Sequence, residues 1–338
     1  MKCPLCSINL QCSHIRTHKP KNARNGAQPN KGRCLNRNQI KQSYASATPP
    51  LPSILSHPMP SIPVIKGPDA DAAYAAAQKV VETHQHLSKW IRPGMTLAQI
   101  DAEVARFLES INCRSCFYGY KVPKSPPFPS HACLSVNDCV VHGTAGYRRE
   151  PLKQGDLLKV DIGVWHGRPN AWIGDAAWTY AVGEPTPAAR RLMECGKESL
   201  ARGVRELRPG NTYLAWARAV QNHVEKECGF FCVRGLGGHG IGRALHTPPY
   251  VANVVPTYNG EWPEASKACT PGTLIAVEPM IAVGTGDTYH NSLGRLDDWP
   301  VFTKDGSLSV HYEHDILITE NGPRNLTEGL ETIRDVIE

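Results

Sequence analysis

The first 68 residues contain no Asp or Glu, although they carry ten Lys or Arg. An acid-poor, Asn-rich stretch with little periodicity cannot bury enough apolar surface to offset chain ordering. Aromatic residues make up only 7% of the 338-residue chain. No apolar run approaches the length needed to span a bilayer. The first ten residues, MKCPLCSINL, lack the uninterrupted apolar core of a signal peptide. These absences argue against a membrane-spanning or secreted chain and point to the cytoplasm. Cysteine, by contrast, is plentiful: the twelve Cys are then expected as thiols or metal ligands rather than disulfides.

Charge is unevenly distributed. The formal net charge is +6, yet residues 69–338 hold 27 basic and 31 acidic side chains. The positive excess therefore belongs to the N-terminal segment. Thr48–Pro63 is Pro-rich, which removes backbone donors and favours an extended path. Residues 1–65 are expected to be a basic, mostly disordered extension, and residues 66–338 the folded catalytic unit. Cys3, Cys6, Cys12, His14 and His18 are a possible zinc knuckle in the extension, although their spacing follows no established zinc motif. Its basic excess suits contact with a polyanion such as ribosomal RNA. A transit peptide is a rival reading that the early Cys pair and scattered prolines disfavour.

Helical patterning begins at Asp69. An Ala-rich stretch opens with acids and ends before Arg92-Pro93-Gly94. The next helix starts at Thr96, with Gln99 at capping-box spacing, and places Leu97, Ile100, Val104, Phe107 and Leu108 on one face. Further helices are expected over Ala188 to about Leu207 and Thr212 to Lys226. A faint duplication runs through the chain. Arg92-Pro93-Gly94-Met95-Thr96 returns as Arg208-Pro209-Gly210-Asn211-Thr212, 116 residues later. GDLLKVD (Gly155–Asp161) returns as GTLIAVE (Gly272–Glu278), 117 residues later. Two near-equal offsets imply two similar α+β halves, each ending an apolar strand on a carboxylate.

Acids within apolar runs are costly to bury unless something neutralises them. Asp161 ends the run LLKV, Glu278 lies in LIAVEPM, and Glu313 in HYEHDILI. Asp175 follows Asp161 by fourteen residues, across a Gly- and Pro-containing turn, as a hairpin would allow. His239 is surrounded by five glycines in GLGGHGIGRALH, which suggests close backbone approach to a ligand, with His246 seven residues on. His142, in VNDCVVHG, is a third candidate imidazole. Four carboxylates with one imidazole suit a pair of divalent cations; Mn, Fe(II) or Co fit better than they would a thiolate site, with zinc still open.

Together, VNDCVVHG, GDLLKVDIGV, GDAAW, GHGIGRALH, VEPM, DDWPVFTKDGSLSVHYEH and DILITENG resemble the type I methionine aminopeptidases of the pita-bread metallopeptidase family, over about Lys66 to Glu338. The resemblance implies an α+β pita-bread fold with pseudo-twofold halves around a central antiparallel sheet. It implies that Asp161, Asp175, His239, Glu278 and Glu313 bind two metals and that solvent between them attacks the first peptide bond. Glu278 would shuttle the proton, and His142 and His246 would hold the substrate. Cys133 and Trp299 would line an apolar pocket for the initiator Met, with Tyr118 or Tyr120 nearby. Expected partners are nascent N-termini, with ribosome contact through residues 1–65, and the protein is expected to be a monomer. The alternatives weighed are an X-Pro-type peptidase of the same fold and a non-catalytic ribosome-associated shell. Several positions depart from the family pattern: a longer Asp161–Asp175 gap, a Pro-rich segment before Cys133, Gly163 in place of a hydroxyl residue, and Leu245 in place of Phe.

Overall fold

The structure is a computed structural model that describes residues 61–123, 125–290 and 299–338. The Cys and His residues of the first eighteen positions lie outside the described residues, as does nearly all of the proposed extension. Residues 61–65, assigned to the extension by sequence, are joined to the fold: Ile62 packs against the core, and the Ile65 N–H donates to Gly272 O at 2.8 Å.

Four helices form where the pattern predicts them. Helix α1 spans Pro68–Trp90, with Asp69 and Asp71 in its first turn, where the helix dipole favours anions. Its buried face includes Ala73, Ala76, Ala77 and Val80. The Ala-richness has a packing cause: a Cβ added at Gly174 would lie 2.6 Å from the Ala76 carbonyl, so helix and strand backbones nearly touch. Helix α2 spans Leu97–Ser110 behind a complete capping box, with Gln99 N–H donating to Thr96 Oγ1 (3.3 Å) and Thr96 N–H to Gln99 Oε1 (2.8 Å). Helix α3 spans Pro187–Glu206, capped by the Thr186 hydroxyl. Helix α4 covers only Tyr213–Gln221, shorter than expected. The chain then continues as a π-helical turn over Asn222–Cys228, closed by Gly229 in the left-handed region at φ 72°.

The duplication is visible in backbone geometry. Gly94 and Gly210 adopt φ 88° and 91° in the turns before α2 and α4. Gly155 and Gly272 adopt the same two values before the strands Leu157–His166 and Leu274–Val277. Glycine is needed there because these angles are strained for L side chains. Each half is thus a helix pair followed by sheet.

Two five-stranded sheets carry the core. In the first, Leu157–His166 pairs antiparallel with Trp172–Val182 in unbroken register, from Leu157↔Ala181 to His166↔Trp172. The extra length between Asp161 and Asp175 is therefore absorbed by the turn, and the register is kept. Cys133–Val136 and Arg114–Ser115 flank this hairpin, and Val336–Ile337 adds the one parallel pairing among the described strands. In the second sheet, Leu274–Val277 lies between His314–Thr319 and Gly237–Gly240, with Gly322–Asn325 and Thr247–Ala252 outside. The two sheets meet where Glu313 N–H donates to Ala177 O (2.9 Å) and Asp175 N–H to the Asp315 carboxylate (2.9 Å). Buried Lys159 ties the same region together, its ammonium donating to Asn137 O (2.7 Å), Ser309 O (3.3 Å) and Ser309 Oγ (3.2 Å).

His84 joins α1 to the hairpin. Its Nε2–H donates to Ala176 O (3.2 Å), so its Nδ1 accepts from the Tyr180 hydroxyl (2.9 Å). Burial lowers its pKa from 6.5 to about 4. The unfolded chain therefore takes up a proton first as pH falls. Stability present above pH 6.5 is lost towards pH 4, by at most about 1.4 kcal/mol per pH unit from this residue. His84→Gln, which does not titrate, is expected to show a shallower fall of the thermal midpoint over that window. Identical pH profiles for the two proteins would refute this assignment.

Candidate metal centre

The two sheets deliver their acids to one cavity, lined by Phe117, Val141, His142, Asp161, Asp175, Leu236, Gly237, His239, His246, Glu278, Met280 and Glu313. All five expected ligands are among them. Asp161 pairs with Ala177 across the first hairpin, and Asp175 lies two residues from Ala177. Alternation puts both acids on the same face, within diagonal reach. Glu278 follows its strand directly, and Glu313 sits in the link between Ser309–His311 and His314–Thr319. His239 comes from Gly237–Gly240, pressed between two neighbours.

That strand overturns one expectation. Of the glycines around His239, Gly237 borders the cavity, whereas Gly238 and Gly240 are closed off by neighbouring strands. A Cβ at Gly238 would lie 2.2 Å from Ala276 O, and one at Gly240 2.2 Å from Pro248 O. They let adjacent backbones close on each other, and His239 projects from the packed strand. Its Nδ1–H donates to Gly240 O (3.1 Å), which leaves the Nε2 lone pair facing the cavity. From Nε2, Asp175 Oδ2 and Glu278 Oε1 are each 4.0 Å away. That is too long for a hydrogen bond. It suits donors sharing an ion, since two ligand atoms each about 2.1 Å from a cation stand roughly 3–4 Å apart.

Two groups of ligand atoms lie within 4.8 Å of one another: Asp175, His239 and Glu313, and Glu278, His311 and Glu313. Glu313 belongs to both. Asp161 borders the cavity but joins neither triad.

The electrostatics are unfavourable for bare acids. Burial pushes the Asp161 carboxyl up to about 7, with the Glu278 charge adding to the rise and His311 opposing it. Burial, then the charges of Asp161, Asp315 and Glu278, raises Asp175 well above the carboxylate range. Burial raises Glu278 as well; for Glu313, burial and then Asp175 do the same. Among the described residues no Arg or Lys forms an ion pair with any of them; the nearby basic groups are His239 and His311. Asp161 Oδ1 and Asp175 Oδ1 are buried with no hydrogen-bond partner. Orphaned anionic oxygens around one imidazole lone pair fit divalent cations.

Two contributors were not singled out as site residues in the sequence, although both lie in HYEHDILI. His311 reaches Glu278 Oε2 at 3.0 Å, and Asp315 holds the Asp175 backbone. Their signal was their place beside Glu313 in that segment, His311 two residues before it and Asp315 two after. His142 lines the cavity in a left-handed conformation, φ 58°, with Nδ1 unpartnered, a strained geometry for a residue with a side chain. His246 stands edge-on to His239, ring centroids 4.3 Å apart, and its Nδ1 shares a 2.7 Å hydrogen bond with the Tyr120 hydroxyl. Tyr120 is thus the tyrosine at the site, whereas Tyr118 is exposed and stacked on His131.

Cys133 and Trp299 do not line the cavity itself. Cys133 is paired with Asp161 in the next strand, with its thiol against that carboxyl. Trp299 packs edge-on to Phe128 (5.2 Å), and its indole N–H donates to Pro126 O (3.1 Å). The Pro-rich segment therefore folds back to fasten Trp299. The apolar wall is instead Phe117, Val141, Leu236 and Met280. Gly163 makes room for it, because a Cβ there would meet the Phe117 ring at 2.5 Å and Cys116 Sγ at 2.4 Å.

If His311 orients Glu278, His311→Ala lowers affinity for Mn2+ by roughly 10–100-fold, the range for residues behind a ligand. Calorimetric titration reads this directly, and unchanged affinity would rule the role out.

Comparison with known proteins agrees with this geometry. The model of metallopeptidase family M24 matches residues 71–320. A curated methionine aminopeptidase 1 of Bacillus subtilis is 37% identical over 247 residues, covering 73% of this chain and 91% of that protein. A methionine aminopeptidase of Aquifex aeolicus is 34% identical, covering 75% and 93%. The crystal structure of methionine aminopeptidase from Rickettsia prowazekii superposes with a TM-score of 0.71 at 30% identity, covering 79% of this chain and all of that one. The prolidase of Pyrococcus furiosus, at 20% identity and a TM-score of 0.57, shares the fold.

Proposed function

The chain belongs to metallopeptidase family M24, and from that membership we propose that it removes the N-terminal methionine from proteins. The observation that carries this reading is the convergence of four buried carboxylates and the His239 lone pair on one cavity beside an apolar wall. Divalent cations are its cofactors, consistent with the family. We assign Asp161, Asp175, His239, Glu278 and Glu313 as their ligands, with Mn, Fe(II) or Co the best match to an oxygen-rich set. When bound, such ions lower the pKa of solvent and polarise a carbonyl.

The remaining work falls to the protein. Glu278, steadied through Oε2 by His311, takes a proton from the attacking water and returns it to the leaving amine. His142 offers an unpartnered Nδ1 to the substrate. Burial lowers its pKa well below 6.5, so it meets the substrate neutral. His246, with Nδ1 committed to Tyr120, turns its other nitrogen to the reacting centre. Phe117, Val141, Leu236 and Met280 receive the methionine side chain, with Cys133 and Trp299 in support behind them.

The catalytic unit is residues 66–338 together with the packed lead-in of residues 61–65, a monomer working in the cytoplasm on nascent chains. Residues 1–65 supply a basic segment for ribosome contact. No helix among the described residues is long and apolar enough to cross a membrane. The X-Pro reading is disfavoured because the relatives compared above at 34–37% identity are methionine aminopeptidases whereas the prolidase is 20% identical, and a non-catalytic shell would have no use for the full ligand set.

The full chain with Mn2+ or Co2+ is expected to release Met from Met-Ala-Ser and to leave Ala-Pro peptides intact. Asp161→Asn and His239→Ala each lower kcat/KM by more than about 100-fold, beyond the loss typical of residues behind a ligand. No cleavage with any divalent metal, or preference for Ala-Pro, would overturn the assignment.

A further inference from the structure

A second set of metal-binding atoms lies outside the catalytic cavity. Cys195 on α3 meets His223 and Cys228 of the π-helical turn, with ligand atoms all within 4.8 Å of one another. We propose that these three residues bind a Zn2+ ion that staples α3 to that turn.

The backbone is shaped for it. Five residues along an α-helix rotate a side chain by about 140° off its starting face, at 3.6 residues per turn. His223 and Cys228 would then diverge. In a π-helix, hydrogen bonds run from i to i+5, so residues five apart stack on one side. The Gly229 N–H bonds to Val224 O, five residues back, closing the widened turn. As a result His223 Nε2 stands 3.4 Å from Cys228 Sγ. Tetrahedral Zn2+, with bonds of about 2.3 Å to sulfur and 2.0–2.1 Å to nitrogen, sets that separation at roughly 3.6 Å.

The imidazole is also held as a ligand would be. His223 Nδ1 donates to Glu227 Oε2 (3.1 Å), which leaves Nε2 as the acceptor that faces the sulfur. Arg202 steadies that carboxylate at 2.7 Å. A carboxylate behind the histidine fixes its tautomer and raises its basicity. Two thiols and an imidazole are soft and borderline donors, which select zinc over the cations suited to the oxygen-rich centre. Cys195 and His223 are buried and Cys228 is half-buried, and the three supply three of the four donors of a tetrahedral ion. The staple would act one packing layer behind the catalytic centre. Gly196, next to Cys195, abuts the Tyr312 ring, where a Cβ would lie 2.6 Å away, and Tyr312 precedes Glu313.

Cobalt reports the site, because thiolate ligation gives a sulfur-to-cobalt charge-transfer band that carboxylates and imidazole do not. Reduced, metal-stripped full chain titrated with Co2+ is expected to develop this band and to lose it on adding Zn2+. Cys228→Ser and His223→Gln, checked for folding by circular dichroism, are expected to weaken the thiolate-bound ion at least tenfold. A Cys3→Ser, Cys6→Ser, Cys12→Ser triple variant is expected to keep the band, which separates this site from the N-terminal thiols. Absence of the band, its persistence in Cys228→Ser, or its loss in the triple variant overturns the proposal. So does a Cys195–Cys228 disulfide found by peptide mass in protein isolated without reductant.

Discussion

Several carboxylates share a desolvated space with no Arg or Lys of the described residues paired with them, and much of the surrounding structure serves to hold them there. Bare, such a cluster is destabilising, because burial and mutual repulsion both penalise ionisation. The fold makes the arrangement tenable by carrying Asp161 and Asp175 on buried strands, setting Glu278 and Glu313 beside strand ends, and tying backbone and ring groups down. Asp315 takes the Asp175 amide, Ala177 takes the Glu313 amide, and Gly240 takes the His239 ring N–H. What faces the cavity includes carboxylate oxygen without a hydrogen-bond partner and the His239 lone pair, a demand that divalent cations meet.

The two halves contribute unequally to that demand. In each, a turn glycine near φ 90° opens an apolar strand that presents an acid, Asp161 midway along Leu157–His166 and Glu278 directly after Leu274–Val277. Only the first half extends into a long regular hairpin, which adds Asp175. The second half supplies its further groups from separate strands: His239 from a glycine strand squeezed between neighbours, and Glu313 from the link that reaches across to the first sheet. Absence of side chains is as consequential as their presence here. Gly174 lets α1 lie on the hairpin, Gly238 and Gly240 let strands close, and Gly163 clears space for Phe117 at the cavity wall.

The oxygen-rich centre and the Cys195–His223–Cys228 cluster divide the chemistry of the chain by donor softness. Neither oxygen-rich triad includes a thiol, although the Cys133 thiol lies against the Asp161 carboxyl from the next strand. Lys159, the buried ammonium near this region, is spent on the oxygens of Asn137 and Ser309 rather than on the acids. The acids are thus left for an exogenous cation.

Local order was legible in the residues themselves. The acidic start and Arg-Pro-Gly stop of α1, the Thr96–Gln99 box, and the paired turn glycines each encode a conformation within a few residues, because capping and left-handed backbone are local energetics. The acids that converge on the cavity were legible too, since an acid within an apolar run is costly to bury without a partner. Tertiary packing alone decided what those signals left open. It turned the end of the fourth helix into a π turn, chose Tyr120 over Tyr118, set Trp299 and Cys133 behind the wall, and made the glycines around His239 a matter of strand contact. It also recruited His311 and Asp315, whose partners Glu278 and Asp175 lie 33 and 140 residues away. Pairings of that range depend on strand register and sheet contact, and no run of neighbouring side chains carries that information.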